Sequence, residues 1–329
     1  MKVLITGGAG FVGGALAGAL ASEGVEVDIA DNFSRGSKDG HLRDLIDKEA
    51  VRLVDADLTN ADGLGELSDD YDYIYHLAAI IGVRNVMEKP QEVLWNNVAM
   101  MGHLLNYARR QKSLKRFVFA STSEVYAGSL QHLDMAFPTP ETTPIALTDL
   151  AHPRTSYMLS KLYGEAMCQL SDLPVTIVRP HNFYGPRMGM SHVIPELLAR
   201  AYRCPPGEGL EVFSPDHLRT FCFIDDAVRL VRALAESDGG LGGTFNVGVE
   251  EPEYNILQVA QIVLQTVGVS LDLIPGETHA GSPARRSPDM TATHSVVDAR
   301  AEISLSEGIE RTWAWYRERL DNPALEMAV

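Results

Sequence analysis

The sequence predicts an α/β protein: a doubly wound parallel sheet with a smaller, intertwined C-terminal lobe. Three observations carry that prediction. Short apolar runs alternate with amphipathic stretches of helical period as far as Pro180, the texture of a parallel sheet covered on both faces. A glycine-rich turn joins the first run to the first amphipathic stretch. Beyond Pro180 the alternation gives way to helical segments separated by stretches rich in Pro and Gly.

Taken in order, Lys2–Thr6 reads as a strand, Phe11–Ser22 as an amphipathic helix, and Glu26–Ala30, ending in Asp31, as the second strand of a βαβ unit. Val51–Val54, Tyr73–Leu77, Arg116–Ala120 and Val175–Arg179 continue the strand series, with helices expected around Gln91–Gln111 and Ser156–Leu170. Further on, Val193–Tyr202, Asp225–Ser237 and Ile256–Val267 read as helices, and Pro and Gly cluster at Cys204–Gly209, Pro275–Gly276 and Ser282–Pro288. The expected division is a nucleotide-binding domain over residues 1–180, with later segments returning to it, and a ligand-binding lobe over 181–329. No internal repeat stands out.

At 329 residues, 45% apolar and 22% charged, the composition is that of a globular chain of one large or two modest domains. No apolar run approaches the roughly 18–20 residues that span a bilayer, and the N-terminus turns glycine-rich too early for a signal peptide, so the expected compartment is the cytoplasm. The three cysteines, Cys168, Cys204 and Cys222, are odd in number and widely spaced. That fits neither a disulfide framework nor a zinc site, and no metal is expected. A formal charge of −16 repels nucleic acid and anionic membrane at long range. A phosphate ligand must therefore be held by a local cluster of donors.

Gly7, Gly10 and Gly13 form G-x-x-G-x-x-G between the first strand and the first helix. There glycine gives a tight turn, close approach of backbone to a diphosphate at the positive helix N-terminus, and close helix-on-strand packing. Asp31 follows about 20 residues on, at the end of the second strand, where a carboxylate accepts hydrogen bonds from the adenosine ribose hydroxyls of NAD in the Rossmann arrangement. The same carboxylate repels a 2′-phosphate, which favours NAD over NADP; Arg35, four residues later, is the feature that weighs the other way.

Tyr157 and Lys161 lie four apart within a helical stretch and share a face. A phenol with a pKa near 10 is a poor base at neutral pH, and a neighbouring ammonium stabilises its phenolate. Such a pair arises by chance in roughly a quarter of chains with this many Tyr and Lys, so it gains its weight from company. Ser121-Thr122-Ser123-Glu124 supplies the company, directly after the strand Arg116–Ala120, at the carboxyl end where open α/β sheets place their ligands.

Together with His76-Leu77-Ala78-Ala79, Tyr126 and Arg179-Pro180-His181-Asn182-Phe183-Tyr184-Gly185-Pro186, these motifs resemble the extended short-chain dehydrogenase/reductase family, in its nucleotide-sugar epimerase, dehydratase and decarboxylase branch. The resemblance covers nearly the whole chain and extends to Ser191–Pro195, Arg219-Thr220-Phe221, Asp225-Asp226, Phe245–Gly248 and Arg285–Asp289, all in the lobe that binds the sugar nucleotide in that family. It implies an NAD-binding Rossmann domain and a smaller lobe over a nucleoside-diphosphate sugar. Tyr157 would take the proton of the sugar 4-hydroxyl, Thr122 would bind that oxygen, Lys161 would bind the nicotinamide ribose and lower the Tyr157 pKa, and the sugar would be oxidised at carbon 4 with NAD recycled. The implied NAD contacts also include Phe11 and Val12, Asn32 beside Asp31, Asp57 and Leu58, and Leu77, Ala78 and Ala79. Arg219 and one of Arg285 or Arg286 would clamp the diphosphate, with Asn182 and Val193 also at the substrate; guanidinium forks suit phosphate oxygens.

Glu124 departs from the simple 4-epimerases, which carry a small or non-acidic residue there. Thr122-Ser123-Glu124 looks instead like the 4,6-dehydratases and UDP-glucuronate decarboxylases. A 4-keto group acidifies the carbon-5 proton and makes a carbon-5 carboxylate a β-keto acid, and either path benefits from a nearby carboxylate. The expected reaction is thus a carboxylate-assisted dehydration or decarboxylation of a nucleoside-diphosphate sugar, UDP-linked by preference, with a simple 4-epimerase as the alternative. Tyr157, Lys161 and Thr122 together argue against a non-catalytic NAD-binding scaffold. Asp31 and the second-lobe arginines argue against an NADP-dependent reductase of small ketones. The stretch Gly128–Pro153 is longer than expected and is placed to shape substrate choice. A homodimer is expected as well: Val93, Leu94, Val98, Met100, Met101, Leu104 and Leu105 in one helix, and Met158, Leu159, Leu162, Met167 and Leu170 in the other, put apolar residues on more than one face.

Overall fold

The computed structural model describes residues 1–36, 38–205, 207–278 and 283–322. Pro206 and Ser282, within two of the Pro- and Gly-rich stretches, lie outside the described residues, as do 323–329. In chain order the first half contains β1 (Lys2–Thr6), α1 (Phe11–Ser22), β2 (Glu26–Asp31), α2 (Gly40–Asp47), β3 (Val51–Asp55), β4 (Tyr73–His76), α3 (Val83–Glu88), α4 (Pro90–Ala108), β5 (Arg116–Ala120), α5 (Ala127–His132), α6 (Thr155–Gln169) and β6 (Val175–Pro180). After it come β7 (Phe183–Tyr184), α7 (Val193–Arg203), β8 (Leu210–Val212), β9 (Leu218–Arg219), β10 (Cys222–Phe223), α8 (Ile224–Glu236), β11 (Thr244–Val247), β12 (Tyr254–Asn255), α9 (Ile256–Val267), β13 (Leu273–Pro275), β14 (Arg285–Arg286), α10 (Thr291–Val296) and α11 (Leu305–Asp321).

Seven strands form one sheet in the order β11-β6-β5-β4-β1-β2-β3, and every pairing in it is parallel. Strand order reverses between β1 and β4, so the crevice at their carboxyl ends is the place where a doubly wound sheet takes its ligand. Along each strand, successive side chains enter opposite cores. Val3, Ile5, Ile29, Val118 and Val178 pack with α1 and α8 on one face, while Leu4, Ala30, Phe117, Phe119 and Ile177 pack with α4 and the Cys168 turn of α6 on the other. The first of these cores runs on without a break into the second lobe, through Leu198 of α7, Val212 of β8, Val263 of α9 and Trp313 of α11.

The strands and helices expected before Pro180 form, with ends shifted by a few residues at most: Gln91–Gln111 is the helix Pro90–Ala108 and Ser156–Leu170 is Thr155–Gln169. Phe245–Gly248, read with the ligand-binding lobe, instead supplies β11, the edge of the main sheet beside β6. The long stretch after Glu124 begins with the short helix α5 and then runs as loop to α6. Cys168 and Cys222 are buried and Cys204 is half-buried, all three as free thiols. No helix among the described residues is long and apolar enough to cross a membrane.

Candidate active site

The larger cavity, about 630 Å³, lies along the crevice at the switch point. Its lining includes every residue expected at the cofactor except Tyr157 and Lys161: Gly7 and Gly10–Gly13 from the first turn, Asp31 and Asn32 after β2, Asp57 and Leu58 after β3, and Leu77–Ala79 after β4. The volume lies in the range of about 300–1,000 Å³ typical of small-molecule clefts. Gly10 caps α1 with no side chain in the way, and a Cβ on Gly13 would stand 2.3 Å from the Gly7 carbonyl oxygen. The α1 N-terminus is thus bare backbone facing a groove, as a diphosphate requires. Asp31 lines the end of the cavity beside β2: its Oδ2 accepts the Ala9 amide at 3.0 Å and its Oδ1 the Phe33 amide at 2.9 Å. Burial pushes its carboxyl up, and the two amide donors pull it back. Each carboxylate oxygen keeps a second lone pair for a ribose hydroxyl. Asp57 Oδ1 is held by the Thr59 amide and hydroxyl at 3.1 and 2.8 Å. Asn32 is exposed and accepts the Ser34 amide at 3.1 Å. These residues fit NAD.

At the other end of the crevice, β5 and α6 deliver the reactive groups. Thr122 caps the short turn Ser123–Tyr126 by accepting the Glu124 amide at 3.2 Å, and its hydroxyl lies near enough to the Tyr157 phenol to draw its pKa down. Ser123 is buried in that turn. Lys161, 4% exposed, donates from Nζ to the Ala120 carbonyl at 2.7 Å and stands 5.8 Å from the Tyr157 ring centroid. The expected lowering of the Tyr157 pKa by Lys161 is not what this geometry does. Burial pushes the phenol up, the Glu124 charge adds to the rise, and the Thr122 hydroxyl and the Arg35 guanidinium act against it. Burial also pulls Lys161 down to about 8, with Glu165 one turn away opposing the change.

The second lobe adds its cations through a three-stranded ladder, β12-β9-β14. β14 runs parallel to β9 with Arg286 opposite Arg219 and Arg285 opposite Leu218. Alternation sends the two neighbouring arginines opposite ways. Arg286 reaches Glu124, Nη2 to Oε1 at 2.7 Å, whereas Arg285 turns back to Glu253, with Nη2 2.6 Å from Oε2. Arg219 is buried; its guanidinium donates to the Leu218 carbonyl at 2.7 Å and to the Pro283 carbonyl. Burial and the Arg286 charge pull Arg219 down to about 10. The Glu124 carboxyl is held below its usual range, first by the charge of Arg286. Glu124, Ser123 and both arginines of β14 border a second cavity of about 220 Å³. Asn182 adopts φ +46° and donates to the Thr220 carbonyl at 2.9 Å, and Val193 is 40% exposed at the start of α7.

Sequence reasoning missed the groups that hold these parts together. Glu165, four residues after Lys161, accepts from Ser121 Oγ and pairs with Arg179 in a buried fork, Nη2 to Oε2 at 2.7 Å and Nε to Oε1 at 2.9 Å. Arg179 passes the link to the Tyr126 hydroxyl at 2.7 Å. Asn97 of α4 holds both the amide and the carbonyl of Ile80, at 2.7 and 3.0 Å, and donates to Ser160 Oγ at 3.1 Å. The i, i+4 spacing of Lys161 and Glu165 was a usable signal; nothing in the sequence marked Asn97.

A family model described as the NAD dependent epimerase/dehydratase family matches residues 3–248. The chain is 32% identical over 330 residues to a UDP-N-acetyl-alpha-D-glucosaminuronate decarboxylase of Bacillus cytotoxicus, covering 96% of this chain and 98% of that protein. It is 31% identical to UDP-glucuronic acid decarboxylase 1 of Xenopus tropicalis, covering 98% and 74%. Among solved structures it resembles the UDP-glucuronic acid 4-epimerase of Bacillus cereus in complex with UDP-glucuronic acid and NAD, with TM-score 0.81 and 26% identity, covering 97% of this chain and 99% of that one.

Proposed function

Since the chain belongs to the NAD-dependent epimerase/dehydratase family, we propose that it is an NAD-dependent enzyme of UDP-sugar acids, oxidising the sugar at carbon 4 and then decarboxylating it. NAD, when bound, supplies a reversible two-electron oxidation of carbon 4. Tyr157 Oη takes the proton of the 4-hydroxyl, Thr122 orients that oxygen, and Lys161 would hold the nicotinamide ribose. Arg219 and Arg286 hold the diphosphate: two guanidiniums this close repel one another, and an anion between them relieves the repulsion. With the 4-ketone formed, a carbon-5 carboxylate is a β-keto acid. Its C–C bond breaks, carbon dioxide leaves, and the enolate takes a proton at carbon 5 beside Glu124; reduction of the ketone at carbon 4, with Tyr157 returning the proton to that oxygen, then restores the oxidised cofactor.

One observation carries this reading over a simple 4-epimerase, namely the ionised Glu124 pinned by Arg286 on the turn that Thr122 caps, with its charge felt at Tyr157 of α6. The second reading, 4-epimerisation, draws on the likeness to the Bacillus cereus 4-epimerase. We place the enzyme in the cytoplasm as a homodimer. In support, α4 and α6 pack side by side and leave Trp95, Tyr163 and Leu170 of the same pair exposed.

The test is incubation with UDP-, GDP-, CDP- and dTDP-sugars and sugar acids without added cofactor, with products identified by mass and NMR. UDP-glucuronate or its N-acetyl counterpart should lose one carbon dioxide and no net NADH should accumulate. A product isomeric with its substrate selects epimerisation, and stoichiometric NADH release rejects both readings.

A further inference from the structure

Outside the reacting groups, one buried guanidinium joins segments that lie 177 residues apart. Arg187, on the loop between β7 and α7, donates from Nη2 to the Ala9 carbonyl at 3.0 Å and from Nη1 to the Gly10 carbonyl at 3.3 Å, and its Nε binds Asp39 Oδ2 at 2.6 Å. Its side chain is 7% exposed and that of Asp39 1%. We propose that Arg187 is a positioning residue for the cofactor, a latch from the second lobe that holds the glycine-rich turn in its diphosphate-binding shape and so sets how long NAD stays bound.

Two independent features show that the contact is built. Arg187 sits at φ +67°, a left-handed conformation that a residue with a Cβ keeps only where its surroundings impose it. A Cβ on Gly14 would lie 1.9 Å from Arg187 Nη1, so the guanidinium occupies space that only glycine leaves open. The effect on the turn follows from peptide geometry, because the C=O and N–H of one peptide plane point opposite ways. Drawing the Gly10 carbonyl toward Arg187 aims the Phe11 amide away from it, and Gly10, Phe11 and Arg187 all line the large cavity. Asp39 carries the latch further: its Oδ1 accepts the Leu42 amide at 3.0 Å and caps α2, tying the loop that begins at Asp31 to the same cation. The loop of Arg187 leads directly into α7. The inference rests on NAD binding, which belongs to the family, and is independent of which sugar is turned over.

The experiment loads the full-length protein with NAD, removes free nucleotide, and follows release by chromatography, alongside melting with and without NAD. Arg187→Met should release NAD at least tenfold faster and show a smaller NAD-induced rise in melting temperature, with Asp39→Asn changing in the same direction. Gly14→Ala keeps the charge and every cavity side chain but displaces the guanidinium, so it should speed release too; it also serves if Arg187→Met fails to fold. A lower melting temperature of the NAD-free variants with wild-type release rates would mean that Arg187 only tethers the lobes, and would overturn the proposal.

Discussion

Glu124 on the turn after β5 and Tyr157 on α6 act, in the proposed reaction, on opposite sides of the ketone. Tyr157→Phe leaves no group to take the 4-hydroxyl proton and should abolish the first oxidation, with no transient NADH absorbance on mixing with substrate. Glu124→Gln should still form the reduced cofactor and the 4-keto sugar, but slow the following step by about 10²–10⁴-fold, the usual contribution of a positioned acid or base. Stopped-flow absorbance and product analysis on the two variants separate these outcomes. Unchanged turnover of Glu124→Gln would point to epimerisation, in which the later step is rotation of the ketone and needs no carboxylate. The groups proposed to react stand out in the sequence because they crowd into short local patterns, Thr122–Glu124 and Tyr157–Lys161. Their electrostatic state does not. The half-burial of Tyr157, and the turning of Lys161 toward Ala120, come from the packing of α6 on β5.

At the scale of elements, the short ladder of β9 and β14 decides which of two adjacent arginines reaches Glu124. Parallel pairing places Arg286 beside Arg219 and leaves Arg285 to Glu253. Arg286→Ala should raise the KM for the sugar nucleotide at least tenfold, as the loss of a charge-assisted pair to phosphate does. Arg285→Ala, which gives up a partly exposed ion pair, should change KM by less than about threefold. Steady-state kinetics on both variants checks the assignment, and equal effects would contradict it. From sequence alone the two were indistinguishable, because a two-residue strand has no periodicity to read and its partner lies more than sixty residues away. By contrast β1, α1 and β2 were legible almost to the residue, since a complete βαβ unit writes its turn, its helical period and its acidic stop into thirty consecutive positions. Arg187 stood in plain view after Gly185-Pro186, yet its partners at Ala9, Gly10 and Asp39 exist only in the folded chain.

For the whole molecule, half of the apolar side chains that suggested pairing of α4 and α6 with a second copy are already covered within one chain: Val93, Met100, Met101, Leu104, Leu105 and Met158 are buried. What remains outward is Trp95 at 72%, Tyr163 at 57% and Leu170 at 88% exposure. Light scattering at micromolar concentration should give twice the 36.0 kDa chain mass, and Trp95→Glu with Tyr163→Glu should give the single-chain mass; a wild-type monomer would remove the dimer. The return of β11 to the main sheet has a consequence for synthesis. During translation β6 emerges as an open parallel edge, and its neighbour is not made until residue 247. Through those intervening residues the nascent chain carries a strand of five residues buried in the finished fold, Val175–Arg179, paired with β5 on one side and open on the other. An exposed apolar edge of that kind invites pairing with other chains, so the interval between residues 180 and 247 is where a slowed ribosome or an absent chaperone should cost the most soluble protein.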